Sequence, residues 1–141
     1  MSKTNSNFGY LQTNRNLSSY PNAYDYGKWL EQYDWDYFCT FTTPYELTLK
    51  SSRRMMDFLA LKFLLGPESK MFWAAEKFDV KEGYHIHALI QSMMKQHMIS
   101  DRYKELYHGR PRVLKYDSNK GGNYYFSKYI TKQIIDYDFI G

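Results

Sequence analysis

The sequence predicts an α+β domain in which helices flank a central antiparallel sheet. Three observations support this. Strand-like and helix-like hydrophobic periods alternate along the chain in the order strand, helix, strand, strand, helix, strand, helix. The two middle strands are joined by a short polar connection ending in glycine, which suits a hairpin rather than a crossover. With 43% hydrophobic residues in 141, the chain can bury one core and has little room for a second.

Residues 1–27 are rich in Asn, Ser and Tyr and show neither period, so they read as a flexible N-terminal arm, with the folded domain spanning 28–141. The run Tyr37-Phe38-Cys39-Thr40-Phe41-Thr42-Thr43 is aromatic and β-branched and is closed by Pro44, which predicts the first strand. Ser51 and Ser52 are candidate caps for a helix whose apolar face holds Met56, Leu59, Ala60, Phe63 and Leu64, and Gly66-Pro67 stops it. Residues 71–78 and 84–91 are apolar runs around Asp79-Val80-Lys81-Glu82-Gly83 and predict paired antiparallel strands. Ile99, Tyr103, Leu106 and Tyr107 share a helical face that ends at Gly109 and Pro111, and residues 112–116 form a short strand. Lys120-Gly121-Gly122 precedes a last helix from 123 to about 134, and 135–140 is a candidate fifth strand at the sheet edge.

A net charge of +4 suits a polyanionic partner, and the 15 tyrosines could supply stacking surfaces for unpaired bases as well as core. The single cysteine, Cys39, cannot form an internal disulfide and points to a reducing compartment. The polar start, residues 1–6, is unlike a secretory signal, and no run of about 18 apolar residues occurs. A soluble cytoplasmic protein without a membrane partner is the expectation.

His85-Ile86-His87 places two imidazoles on one face of a strand, because strand side chains alternate. If the hairpin register sets Glu76 opposite His85, a carboxylate reaches the same point from the neighbouring strand. Two nitrogens and one oxygen with no thiolate suit Mg²⁺ or Mn²⁺ and leave positions open for a phosphate oxygen. Zn²⁺ is a second option, and Glu82, in the turn, is the competing carboxylate.

In Tyr125-Phe126-Ser127-Lys128-Tyr129-Ile130-Thr131-Lys132, Tyr125 and Tyr129 are one helical turn apart, with Lys128 and Lys132 in the same sector of the wheel. Phe126, Ile130 and Ile134 face away, towards a core. A phenol with a pKa of about 10 is a poor nucleophile at neutral pH, and cations or a metal ion nearby would answer that need.

Taken together these segments resemble the HUH endonuclease superfamily, in particular rolling-circle replication initiators. Phe38-Cys39-Thr40-Phe41-Thr42-Thr43-Pro44 is similar to the first family motif, His85-Ile86-His87-Ala88-Leu89-Ile90 to the His-hydrophobic-His motif, and residues 125–132 to the tyrosine motif, in family order. The doubled Tyr-X-X-Lys is closest to the two-tyrosine initiators of single-stranded DNA phages and plasmids. The resemblance implies a five-stranded antiparallel sheet with helices, of the ferredoxin-like or RRM-like kind. It implies His85, His87 and Glu76 as metal ligands, Tyr125 and Tyr129 as alternating nucleophiles, and Lys128 and Lys132 as helpers at the phosphate.

The implied reaction is a nick in single-stranded origin or hairpin DNA, leaving a 5′-phosphotyrosine and a free 3′-hydroxyl that can later rejoin ends. Gly66-Pro67-Glu68-Ser69-Lys70 is not a nucleotide-binding Gly-X-X-X-X-Gly-Lys-Ser/Thr loop, so a host or viral helicase, with a polymerase, is the expected partner. In HUH transposases a glutamine one turn after the tyrosine can complete the metal site, which makes Gln133 another candidate ligand. Arg53, Arg54, Arg110, Arg112 and Lys115 are candidate backbone contacts, and Tyr45, Tyr116 and Trp73 candidate stacking rings, with core packing the stronger reading for Trp73. Two other readings stand beside this one: a transposase or relaxase of the same chemistry, and a noncatalytic module that binds single-stranded nucleic acid.

Overall fold

The computed structural model describes residues 23–130 and 134–141, and for residues 23–26 and 127 the backbone alone. Among these residues the elements run α1 (Ala23–Leu30), β1 (Tyr37–Phe41), α2 (Leu49–Phe63), β2 (Lys70–Lys77), β3 (Tyr84–Gln91), α3 (Gln96–Tyr107), β4 (Arg112–Lys115), α4 (Gly121–Tyr129) and β5 (Ile134–Ile140). The class is α+β: one five-stranded sheet of order β4-β1-β3-β2-β5, every neighbouring pair antiparallel, with four helices.

Helices cover both faces of the sheet, which is why the central strands β2 and β3 are apolar on both sides rather than alternating cleanly. On one face Cys39, Phe41, Trp73, Ile86 and Ala88 pack with Met56, Leu59 and Phe63 of α2 and Ile99 and Tyr103 of α3. On the other, Phe38, Phe72, Leu89, Tyr137 and Phe139 pack with Leu30 of α1 and Tyr125 and Phe126 of α4. No helix of the described residues is long and apolar enough to cross a membrane.

The start of α2 differs from the sequence expectation. Its N-cap is Thr48: the Thr48 side chain accepts the Ser51 amide at 3.0 Å, and the Ser51 hydroxyl accepts the Thr48 amide at 2.8 Å. Ser51 therefore closes a reciprocal capping box from inside the helix, satisfying two otherwise orphaned donors. Ser52 is buried.

α1 takes in the last five residues of the segment read as an arm, and residues 1–22 lie outside the described residues. A helix this short depends on tertiary packing. A Cβ on Gly122 would meet the Gly27 carbonyl oxygen at 2.3 Å, so the α1 and α4 backbones meet where neither side has a side chain.

α4 also departs from expectation. It ends at Tyr129, with Ile130 already extended as its C-cap, and Ile134 opens β5 instead of closing the helix. The β-branched pair Ile134-Ile135 loses little by joining a sheet edge, where strand propensity outweighs helical period.

β5 carries an irregularity. Asp136 pairs with Ala75 but Ile134 pairs with Glu76, so one extra residue, Ile135, is accommodated in β5. Beyond the bulge, Asp136 and Asp138 turn to the α2 face. There the Arg53 guanidinium holds Asp136 through Nε at 2.9 Å and Nη2 at 3.0 Å, and Asp138 through Nη1 at 3.1 Å.

Candidate metal centre

The β2–β3 hairpin sets the register that brings the candidate ligands together. Glu76 pairs with His85 and Ala74 with His87. The pleat then puts Glu76, His85 and His87 on one face, while Tyr84, Ile86 and Ala88 turn into the α2–α3 core. Glu76 Oε1 lies 2.9 Å from His85 Nε2 and 3.1 Å from His87 Nε2. One donor atom from each residue falls within 4.8 Å of the others, so this buried group could hold a metal ion. Glu76 is 2% exposed and His87 4%, while His85 stands at the rim against the Phe78 ring.

The donor chemistry is compatible with a bound metal ion. Burial holds the His87 pKa below its ordinary value, against the opposing pull of Glu76, so at neutral pH the ring is neutral and has a lone pair to give. Its second nitrogen, Nδ1, lies 3.2 Å from Thr40 Oγ1 on β1. Both ligand strands are interior to the sheet and hold these side chains rigidly. Glu82 is exposed in the turn, apart from the group, and Gln133 lies outside the described residues.

α4 lies on the same face as the three donors. The Phe38 ring stacks on His87 at 5.9 Å and meets Tyr125 at 5.3 Å and Tyr129 at 5.2 Å, bridging the donor group to both phenols. The two tyrosines differ in their surroundings. Tyr125 is buried, stacks on Tyr116 at 4.7 Å, and its hydroxyl accepts the Asp117 amide at 2.7 Å while donating to the Lys115 carbonyl at 3.3 Å. Tyr129, the last helical residue, is half-buried.

Cations gather on the outer side of α4. Lys128 Nζ donates to the Tyr124 hydroxyl at 3.0 Å and lies 5.5 Å from the Tyr129 ring centroid; Arg112 approaches the same ring at 5.9 Å. The Lys128 hydrogen bond, with Lys120 nearby, holds the Tyr124 phenol below its ordinary range. Lys132 lies outside the described residues. Sequence reasoning overlooked Tyr124, which sits four residues before Lys128, and the roles of Phe38 and Thr40. The alternation of β1 was the available signal for the last two, since it puts both on the face of Leu89 and His87.

The other candidates divide. Arg53 is committed to its carboxylates on the opposite face, with its guanidinium 5.3 Å from the Trp73 ring centroid, and Trp73 is fully buried. Arg54, Arg110, Arg112 and Lys115 are exposed, as is Tyr45. Tyr116 packs on Tyr125 as part of the core edge. No protein-family model matches the chain, and no curated protein and no solved structure does so either.

Proposed function

We propose that this chain is a metal-dependent endonuclease of the HUH kind, a replication initiator that nicks single-stranded DNA with a tyrosine and retains the new 5′ end. One observation carries the reading: two imidazoles, a carboxylate and the tyrosines of α4 share one face of the sheet, joined through the Phe38 ring. A hard divalent cation, Mg²⁺ or Mn²⁺, suits donors that include a carboxylate and no thiolate, and when bound it would supply Lewis acidity towards a phosphate oxygen.

Of the two tyrosines, Tyr129 is the better placed nucleophile, because the Tyr125 hydroxyl is occupied by backbone groups. The Tyr129 oxygen attacks phosphorus and gives up its proton to water. The bond to the 3′ oxygen breaks and that oxygen takes a proton from water, leaving a 3′-hydroxyl and a 5′-phosphotyrosine. Reversal by another 3′-hydroxyl rejoins ends. Lys128 and Arg112, beside the Tyr129 ring, and Lys120, beside Tyr124, form a basic and aromatic flank suited to a single strand, whose phosphates need cations and whose bases need flat partners. A duplex would hide those bases, so a helicase and a polymerase are the partners this activity requires.

The test is to mix the protein with single-stranded hairpin DNA and Mn²⁺ and to look for an adduct that survives denaturing electrophoresis. Adduct is expected from the wild type and Tyr125→Phe, and a loss of at least about 100-fold from Tyr129→Phe. Undiminished adduct from the double variant would remove both tyrosines from the mechanism.

A further inference from the structure

We propose that Thr40 is a positioning residue whose hydroxyl reverses its hydrogen bond with His87 when a divalent cation enters the Glu76, His85 and His87 group. The inference rests on the reading of that group as a metal site, and it does not require the nuclease activity. Glu76 Oε1 lies 3.1 Å from His87 Nε2, and an ionised carboxylate can only accept. With Glu76 ionised and no cation bound, Nε2 carries the ring proton. A neutral imidazole has one N–H, so Nδ1 accepts, and Thr40 Oγ1 at 3.2 Å is its donor.

Coordination through Nε2 reverses these roles. The lone pair must lie on Nε2 and the proton on Nδ1. One proton leaves Nε2 for solvent, one is taken up at Nδ1, and the ring stays neutral. Thr40 must then accept, which a hydroxyl does by turning about its Cβ–Oγ bond, since it has one donor and two lone pairs. No backbone movement is needed: Thr40 is fixed opposite His87 in the β1–β3 register. With His87 4% exposed, water has poor access to replace that partner. Among the described residues His85 lacks any such device, its Nδ1 being buried without a hydrogen-bond partner there. Among the described residues the arrangement thus serves His87.

Two measurements on the whole chain test this. Long-range ¹H–¹⁵N spectra of ¹⁵N-histidine protein should show His87 protonated at Nε2 without metal and at Nδ1 with saturating Mg²⁺. Mn²⁺ titration should show affinity lowered roughly 10-fold or more in Thr40→Val and held within about 3-fold in Thr40→Ser, as expected for a residue supporting a ligand from behind. Thermal melts establish that each variant folds. Wild-type-like affinity in Thr40→Val, failure of Thr40→Ser to rescue, or one His87 tautomer in both states would overturn the role of Thr40 while leaving the metal site standing. Absence of Mn²⁺ binding by the wild type would remove the site itself.

Discussion

The Tyr125 hydroxyl accepts the backbone amide of Asp117 at 2.7 Å, tying the middle of α4 to the chain just after β4. Replacing Tyr125 by Phe leaves that amide without its acceptor, which should cost about 1–3 kcal/mol in urea denaturation. Adduct formation should persist at temperatures where the variant is folded. A variant as stable as the wild type but unable to form adduct would transfer the nucleophile's role from Tyr129 to Tyr125.

Arg53 bridges two carboxylates of β5 that are nearly excluded from solvent, Asp138 being 2% exposed. Arg53→Met removes their shared cation and should destabilise the fold by about 2–4 kcal/mol, a little below the range for a fully buried pair because Arg53 is partly exposed. Binding of single-stranded DNA by the folded variant, followed by fluorescence anisotropy, should change less than about 2-fold, since Arg53 lies across the sheet from α4.

Gly122→Ala would drive a methyl group into the Gly27 carbonyl oxygen. Backbone cannot give way as a side-chain tip can, so α1 must lift from α4. A loss of about 1–3 kcal/mol is expected, with faster amide exchange in α1 than in the sheet. Unchanged exchange in α1 would contradict the close approach of the two helices.

Burial lowers the His87 pKa from its ordinary value of about 6.5. As pH falls the unfolded chain takes up the proton first, so the stabilisation is complete above about 6.5 and is lost as pH drops through the lower folded value. Urea midpoints should therefore fall from pH 7 to pH 5, and His87→Gln should flatten the slope. A pH-independent midpoint in the wild type would mean that His87 is as readily protonated folded as unfolded.

The Cys39 thiol is fully buried in β1, and desolvation pushes its pKa well up, towards the inert neutral form. Thiol-disulfide reagents should modify it only at the rate of unfolding. Rapid labelling of native protein would show that β1 opens locally.

What could be read from the sequence was what depends on near neighbours along the chain. β3 occupies the residues its period indicated, and Glu76 faces His85 because a hairpin joins strands that are adjacent in sequence. The rest depends on distant pairing. Thr40 meets His87 across 47 positions and Arg53 meets Asp136 across 83, and strand period says nothing about which strands become neighbours. The locked Tyr125 hydroxyl escaped notice for a related reason: helical spacing gives the side of α4 on which a phenol stands but not what lies beneath it. α1, at eight residues, is too short for a period to declare itself and is held by its packing on α4.

The extra residue Ile135 lets β5 follow two reading frames. Upstream of it, Ile134 is in phase with the donor side of the sheet; downstream, the aspartates are in phase with Arg53 on the other side. With Ile135 paired regularly instead, Ile134 and Asp136, two positions apart, would face the same side of the sheet. The bulge thereby lets Ile134 seal the donor side while the aspartates reach Arg53, with Tyr137 and Phe139 continuing the donor side.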